Sequence, residues 1–304
     1  MEMLVEQVMN GLQYSALLFL LASGLTLILG IMNVVNLAHG SFYMIGAFCA
    51  AAAVASTGSF LVAILAAILG AGIYGLVVER LIISRLYHRD HLDQVLATLG
   101  ILMFTNALVT VVFGRNPPFV AIPSFLAGSV PIMPGLNYPI MRLAFIGAGI
   151  LVAVGLWLLI AKTRVGMLVR AGADDSEMVD ALGVNIRRLF MQVFTVGAFL
   201  CGFAGVMAAP LLAVEIGMGE KMLITTLVVI VVGGVGSVRG ALLGSLLVGM
   251  TDAFGRAYIP VWMSQLLPPQ YSDSVSSAIV SASIYILMAI VLLVRPRGLI
   301  PAQR

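Results

Sequence analysis

The sequence predicts an all-α polytopic membrane protein of about nine transmembrane helices, some broken or re-entrant, with the N-terminus outside and the C-terminus inside. Three observations carry this. Of 304 residues, 61% are hydrophobic and 10% charged, against about 45–50% and about 25% in soluble domains, and mean hydropathy is +1.12. The apolar residues fall into runs close to the roughly 20 residues that cross a bilayer. The basic residues collect in alternate connections. A soluble enzyme is excluded, and no length remains for a separate soluble domain, so residues 1–304 read as one transmembrane domain.

Apolar runs bounded by charges or by Gly and Pro place spans near 8–31, 38–57, 59–82, 94–113, 139–161, 189–213, 222–235, 240–258 and 276–294. The run 222–235 is short and β-branched and ends in Gly233-Gly234-Val235-Gly236, which points to a broken helix. Glu2 and Glu6 precede the first run and no Lys or Arg occurs before Arg80, so the first segment lacks the basic start of a signal peptide and is expected to stay.

Sorting Lys and Arg by alternate loops fixes the expected orientation. One side collects Arg80, Arg85, Arg89, Lys162, Arg164, Arg170, Arg187, Arg188, Arg239, Arg295, Arg297 and Arg304; the other has Arg115, Arg142, Lys221 and Arg256. Cytoplasmic loops carry the basic excess, so the first group is placed inside. Short basic loops rather than one patch also argue against nucleic acid.

Outside, 114–138 carries Pro117, Pro118, Pro123, Pro131 and Pro134 and reads as an extended lid or docking loop; 256–275, with Pro260, Trp262, Pro268 and Pro269, reads as a second outer stretch. Two Gly-rich interruptions resemble one another: Asn36-Leu37-Ala38-His39-Gly40 before an apolar run with Gly46, and Ser237-Val238-Arg239-Gly240 before one with Gly244. Corresponding interruptions in two halves are the sequence mark of an inverted-repeat transporter.

The connection 162–188 is the informative soluble piece. Asp174 or Asp175 can cap a short helix that Gly183 ends, with Met178, Ala181 and Leu182 on one side. Such a helix either docks in a partner's groove or rests on the membrane surface. Cys49 and Cys201 lie in apolar runs and form no disulfide framework.

Several stretches carry a resemblance. Thr163-Arg164-Val165-Gly166-Met167-Leu168-Val169-Arg170-Ala171, then Asp174, Asp175 and Ala181-Leu182-Gly183-Val184-Asn185, is similar to the cytoplasmic coupling loop of branched-chain amino acid ABC importer permeases. Gly30-Ile31-Met32-Asn33-Val34-Val35-Asn36-Leu37-Ala38-His39-Gly40, Tyr74-Gly75-Leu76-Val77-Val78-Glu79-Arg80-Leu81 and Arg295-Pro296-Arg297-Gly298-Leu299 agree with it, and the likeness extends over nearly the whole chain. The Asn-Leu-Ala-His-Gly segment resembles the first of that family's two permease subunits. The resemblance implies a multi-pass protein of the bacterial inner membrane. It implies pairing with a second permease, two cytoplasmic ATP-binding subunits and a periplasmic substrate-binding protein, and an amino acid as cargo. ATP and magnesium then belong to the partners. This chain has no Gly-x-x-x-x-Gly-Lys-[Ser/Thr] loop and is expected to bind no cofactor.

On that reading Arg170, Asp174, Asp175, Met178, Ala181, Leu182 and Gly183 couple to the ATPase. Asn33, Asn36, His39, Gly233 and Gly234 line or gate the pathway, although polar groups at a helix break also serve to satisfy freed backbone. Gly236, Gly240 and Gly244, four apart, let another helix approach. Asp252 and Arg256 are expected to pair at i, i+4. His88 and His91, with Asp90 and Asp93, form a solvated charged turn and no metal site. The rival class, a secondary carrier or channel for small amphiphilic solutes, calls for an intramembrane carboxylate relay that Asp252 and His39 only approach.

Overall fold

Leu17, Leu18, Leu20 and Ile28 of the first helix are all fully buried. A helix apolar on every side belongs in the middle of a bundle, and the remaining helices are built around this one. The structure is a computed structural model that describes residues 2–87, 89–116 and 118–301; His88, Pro117 and Arg304 lie outside the described residues. Its helices are α1 (Glu2–Met32), α2 (His39–Thr57), α3 (Phe60–Leu81), α4 (His91–Phe113), α5 (Ile140–Lys162), α6 (Arg164–Asp174), α7 (Ser176–Ala181), α8 (Ile186–Ala208), α9 (Met218–Gly233), α10 (Val238–Leu266) and α11 (Pro269–Val294).

Each of the nine apolar runs falls on a helix, but the count of crossings changes. Seven helices are long and apolar enough to span a membrane, and an eighth span is added if α9 and α10 are taken together. These two are bent by 116° at the break between Gly233 and Val238. The reason is length: the 16 residues of α9 reach about 24 Å, short of a core about 30 Å thick. Gly236 makes the turn at φ +79, and Ser237 then caps α10, its side chain accepting from Gly240 N–H at 3.1 Å.

The two ends of the chain pack alike. α1 lies against α9 and α10 as α8 lies against α2 and α3, and α9 touches α11 as α2 touches α4. Gly11 of α1 meets Met250 and Gly30 meets Gly236, so α1 and α10 run antiparallel; Gly75 of α3 meets Ala198 and Gly202 of α8 meets Ala67, so α3 and α8 do too. The two ends of the chain therefore correspond in their packing, with a different register from the one the sequence suggests. The counterpart of the 33–38 break before α2 is the segment 209–217 before α9. The counterpart of Gly236-Ser237 is Gly58-Ser59 before α3, with Gly58 at φ +66 and Ser59 in the same extended N-cap conformation.

Two regions that the sequence places outside also depart from expectation. Within 114–138 the chain forms a β-hairpin, β1 (Ser129–Met133) paired antiparallel with β2 (Leu136–Pro139). A two-stranded ribbon leaves outward edges on which prolines cost no ladder bond. Tyr138, 1% exposed, donates its hydroxyl to Asn10 Oδ1 at 3.3 Å, and Arg142 donates to the same oxygen at 2.5 Å, which ties hairpin and α5 to the start of α1. Likewise 256–275 is mostly helical: α10 continues through Pro260 to Leu266 and α11 begins at Pro269. Proline inside a membrane helix is tolerated where neighbours re-satisfy the freed backbone.

Candidate functional site

Three places hold the residues singled out by sequence. The first is the break between α1 and α2. Asn33 ends α1 in the left-handed region at φ +50 and is exposed, a conformation that asparagine adopts more readily than most residues. Asn36 is buried, and its Oδ1 accepts from Ala38 N–H at 3.0 Å. His39 Nε2 stands 3.1 Å from the Leu21 carbonyl oxygen and 3.0 Å from Cys201 Sγ. Leu21 lies well inside α1, so α2 starts in the middle of the bundle rather than at a membrane face. Phe42 then packs edge-on against His39, Tyr74 and Phe194, fixing α2 to α3 and α8.

The extended residues between the helices cannot make helical hydrogen bonds, and α4 supplies partners. Gln94 Oε1 accepts from Val35 N–H at 3.3 Å and Thr98 Oγ1 from Leu37 N–H at 3.1 Å. Both residues are buried. Neither was singled out from sequence, although two polar side chains four apart in the otherwise apolar stretch 94–104 were the available signal. Around the same break Thr26 Oγ1, Asn36 Nδ2, His39 Nδ1, Ser41 Oγ and Tyr43 OH are buried with no partner among the described residues.

The second place is the break between α9 and α10. Gly233 and Gly240 stand backbone to backbone, Gly244 packs on Gly233, and Gly236, which precedes the helix, packs on Gly30 of α1. The C-terminal tail closes over this break. Leu299 N–H donates to the Val232 carbonyl at 3.0 Å and Ile300 N–H to the Gly233 carbonyl at 2.9 Å, while Gly298 lies against Gly234. These carbonyls are among those a helix end leaves without intrahelical partners.

The third is the connection between α5 and α8, which forms two helices where one was expected. Thr163 caps α6, accepting from Gly166 N–H at 3.0 Å, and Arg170 reaches back to the Ile160 carbonyl, so α6 is fastened to the end of α5. Asp175 separates the helices and caps α7, accepting from Met178 N–H at 2.9 Å. Gly183, at φ +90, follows the end of α7. Val179 is turned inward; Met178 and Leu182 are 62% and 77% exposed, and Ala181 and Asp174 are exposed as well.

Elsewhere, Arg256 Nε donates to Asp252 Oδ2 at 2.7 Å, as the spacing predicts. Tyr14 of α1 stands beside this pair and reaches Thr225 of α9. Asn106 of α4 donates to Glu220 of α9 at 2.6 Å, a pairing across the bundle that no local pattern could reveal.

Two sets of apolar helices, each interrupted inside the bundle, define a multi-pass membrane protein. Residues 7–292 match the family described as branched-chain amino acid transport system / permease component, and the chain belongs to that family. It is 31% identical over 310 residues to the high-affinity branched-chain amino acid transport system permease protein BraD of Pseudomonas aeruginosa, covering 97% of this chain and 95% of that protein. It is 30% identical over 312 residues to LivH of Escherichia coli, with the same coverage. A probable branched-chain amino acid transport permease protein LivH of Methanocaldococcus jannaschii is 27% identical over 257 residues, covering 81% of this chain and 79% of that one. The chain is thus a permease, not an enzyme, and a multi-pass protein of the bacterial inner membrane.

Proposed function

We propose that this chain is the permease subunit of an ATP-driven importer that carries branched-chain amino acids inward by alternating access. The family match over residues 7–292 carries the reading, supported by relatives near 30% identity over 97% of the chain. In this scheme the chain pairs with a second permease as a heterodimer. A binding protein outside delivers the amino acid, and two cytoplasmic ATP-binding subunits hold ATP and magnesium. This chain binds neither.

The exposed apolar side of α7, Met178, Ala181 and Leu182, enters a groove of an ATP-binding subunit. Arg164, Arg187 and Arg188, all exposed, hold the unit against anionic lipid. Because α6 is fastened to α5 through Thr163 and Arg170 and α7 leads into α8, movement of the docked unit reaches α1, α2 and α3 directly, and the α9–α10 break through α1, which packs on both of those helices. The breaks at Asn33–Ala38 and Gly234–Ser237 then act as hinges between outward and inward states.

The test is uptake of labelled leucine, isoleucine and valine by cells making the complete set of subunits. Uptake should require this chain and stop when the ATP-binding subunits can no longer hydrolyse ATP. Uptake that continues without ATP hydrolysis would favour a secondary carrier and overturn the reading.

A further inference from the structure

Asn106 and Glu220 stand where lipid makes a poor neighbour. Asn106 lies seven residues before the end of α4 at Phe113, about 10 Å along the helix, and so inside the depth of a hydrocarbon core about 30 Å thick. Its Nδ2 donates to Glu220 Oε1 at 2.6 Å. Glu220 sits in the first turn of α9, next to the point where Gly219 meets Gly40 at the buried start of α2. The carboxylate is exposed, and among the described residues no cationic side chain lies within ion-pair distance of it. A charge facing lipid at such depth is expensive. Groups like this face water-filled cavities or the interior of an assembly, and they mark ligand pathways.

The neighbouring residues of α9 offer what an aliphatic amino acid needs. Lys221 follows Glu220 directly. It pairs with Glu215 at 2.5 Å, with side chains 73% and 42% exposed on the surface of this chain, so a ligand arriving at that surface can reach the ammonium. Ile224, one turn beyond Glu220 on the same side of the helix, is 52% exposed. An oriented carboxylate, an ammonium reachable from that surface and an exposed branched side chain lie within two turns. Only the carboxylate lacks a cation of its own.

We propose that Glu220, oriented by Asn106, takes the α-ammonium of the amino acid in transit, with Lys221 taking its carboxylate and Ile224 facing its aliphatic side chain. This deepens the reading under Proposed function and rests on it. The other candidate for the same carboxylate is a cation of the second permease subunit. The amino acid is the better fit because an opposite charge and an apolar surface flank Glu220, matching all three parts of a zwitterion with a branched side chain.

The test is leucine uptake by the complete transporter carrying Glu220→Gln, Glu220→Asp or Lys221→Met, with the amount of second permease that co-purifies measured beside it. Glu220→Gln should lower uptake about tenfold or more, the scale of one charge-assisted hydrogen bond. Glu220→Asp, which keeps the charge, should retain an intermediate rate, Lys221→Met should lower uptake, and none should change co-purification. Wild-type uptake with equal uptake by Glu220→Gln overturns this inference alone. Loss of the second permease on Glu220→Gln also overturns it and assigns the carboxylate to the subunit interface. A wild-type transporter that accumulates no branched-chain amino acid overturns the amino-acid reading itself.

Discussion

Gly40 at the start of α2 and Gly219 at the start of α9 stand backbone to backbone. A Cβ on Gly40 would lie 2.8 Å from the Gly219 carbonyl carbon, and one on Gly219 would lie 2.7 Å from the Gly40 carbonyl carbon. The two helices occupy corresponding places in the packing of the two ends of the chain, α2 against α8 and α4, α9 against α1 and α11. Gly24 of α1 and Gly197 of α8, a second counterpart pair, meet in the same reciprocal way. Small residues are what allow helix backbones to approach this closely in a membrane.

Gly40→Ala should therefore destabilise the protein by roughly 1–3 kcal/mol, since the atom the new methyl meets is backbone and cannot rotate away. Gly147→Ala in α5 is the control. A Cβ there meets nothing within 4 Å, and the change should be neutral or slightly stabilising, as alanine is the better helix former. Thermal unfolding of the purified permease complex reads both. Equal midpoints for the two variants would count against the crossing.

Support of the α1–α2 break by α4 gives a second expectation. Gln94→Leu removes the acceptor of Val35 N–H, and Thr98→Val removes that of Leu37 N–H. Each leaves a backbone donor unpaired, at a cost of about 1–3 kcal/mol. The accompanying loss of uptake should exceed the loss of protein if the break is a hinge. Uptake that falls only in proportion to protein would leave it a purely structural joint.

The tail strap is tested by Leu299→Pro. Proline has no N–H, so the bond to the Val232 carbonyl is lost while the tail keeps its apolar character. The expected result is faster tryptic clipping after Arg297 in the folded protein. Unchanged clipping would show that packing of Gly298 on Gly234 suffices.

Much of this arrangement was legible from the order of residues, because the helices are near-continuous apolar runs and a bilayer admits few alternatives for them. The Asp252–Arg256 pair and the Asp175 cap were legible because both are local. The end of α10 was not: Arg256, Pro260 and Trp262 read as an outer loop, yet the helix runs to Leu266. The likeness between the two ends was legible as two Gly-rich breaks but not in register, because Gly40 and Gly240 share a sequence flavour while Gly219 is the residue that meets Gly40. Glu220 and Asn106 were beyond reach. They are 114 positions apart, and their pairing exists only once α9 has been turned to start inside the bundle.

Orientation follows from charge. Sorted by the alternate loops expected from sequence, twelve basic residues gather on one side and Arg115, Arg142, Lys221 and Arg256 on the other, and the expectation is that the basic side faces the cytoplasm. Reporters fused after residue 130, in the hairpin, and after residue 304 should be extracytoplasmic and cytoplasmic respectively. Both on one side would sink the orientation and with it the cytoplasmic address of α6 and α7.

That address is what the coupling prediction needs. Met178 and Leu182 expose apolar surface beside Ala181, while Val179 holds α7 to the rest of the chain. A solvated surface helix has little reason to aim its methionine and leucine outward while turning its valine in, whereas a helix entering a partner's groove does. Ala181→Arg would place an unpaired charge in that groove, where breaking complementarity is costly, yet it alters no contact that holds the bundle, since Ala181 is exposed. The ATP-binding subunits should then co-purify poorly and substrate-stimulated ATP hydrolysis should fall, with the permease still present in the membrane at the wild-type level. Asp175→Ala should act more mildly on the same readouts. It removes the cap on Met178 N–H, worth about 1 kcal/mol, and so loosens α7 without obstructing the groove. Co-purification and ATP hydrolysis at wild-type levels in Ala181→Arg would mean that α7 lies on the membrane surface and that the coupling element is elsewhere in the chain.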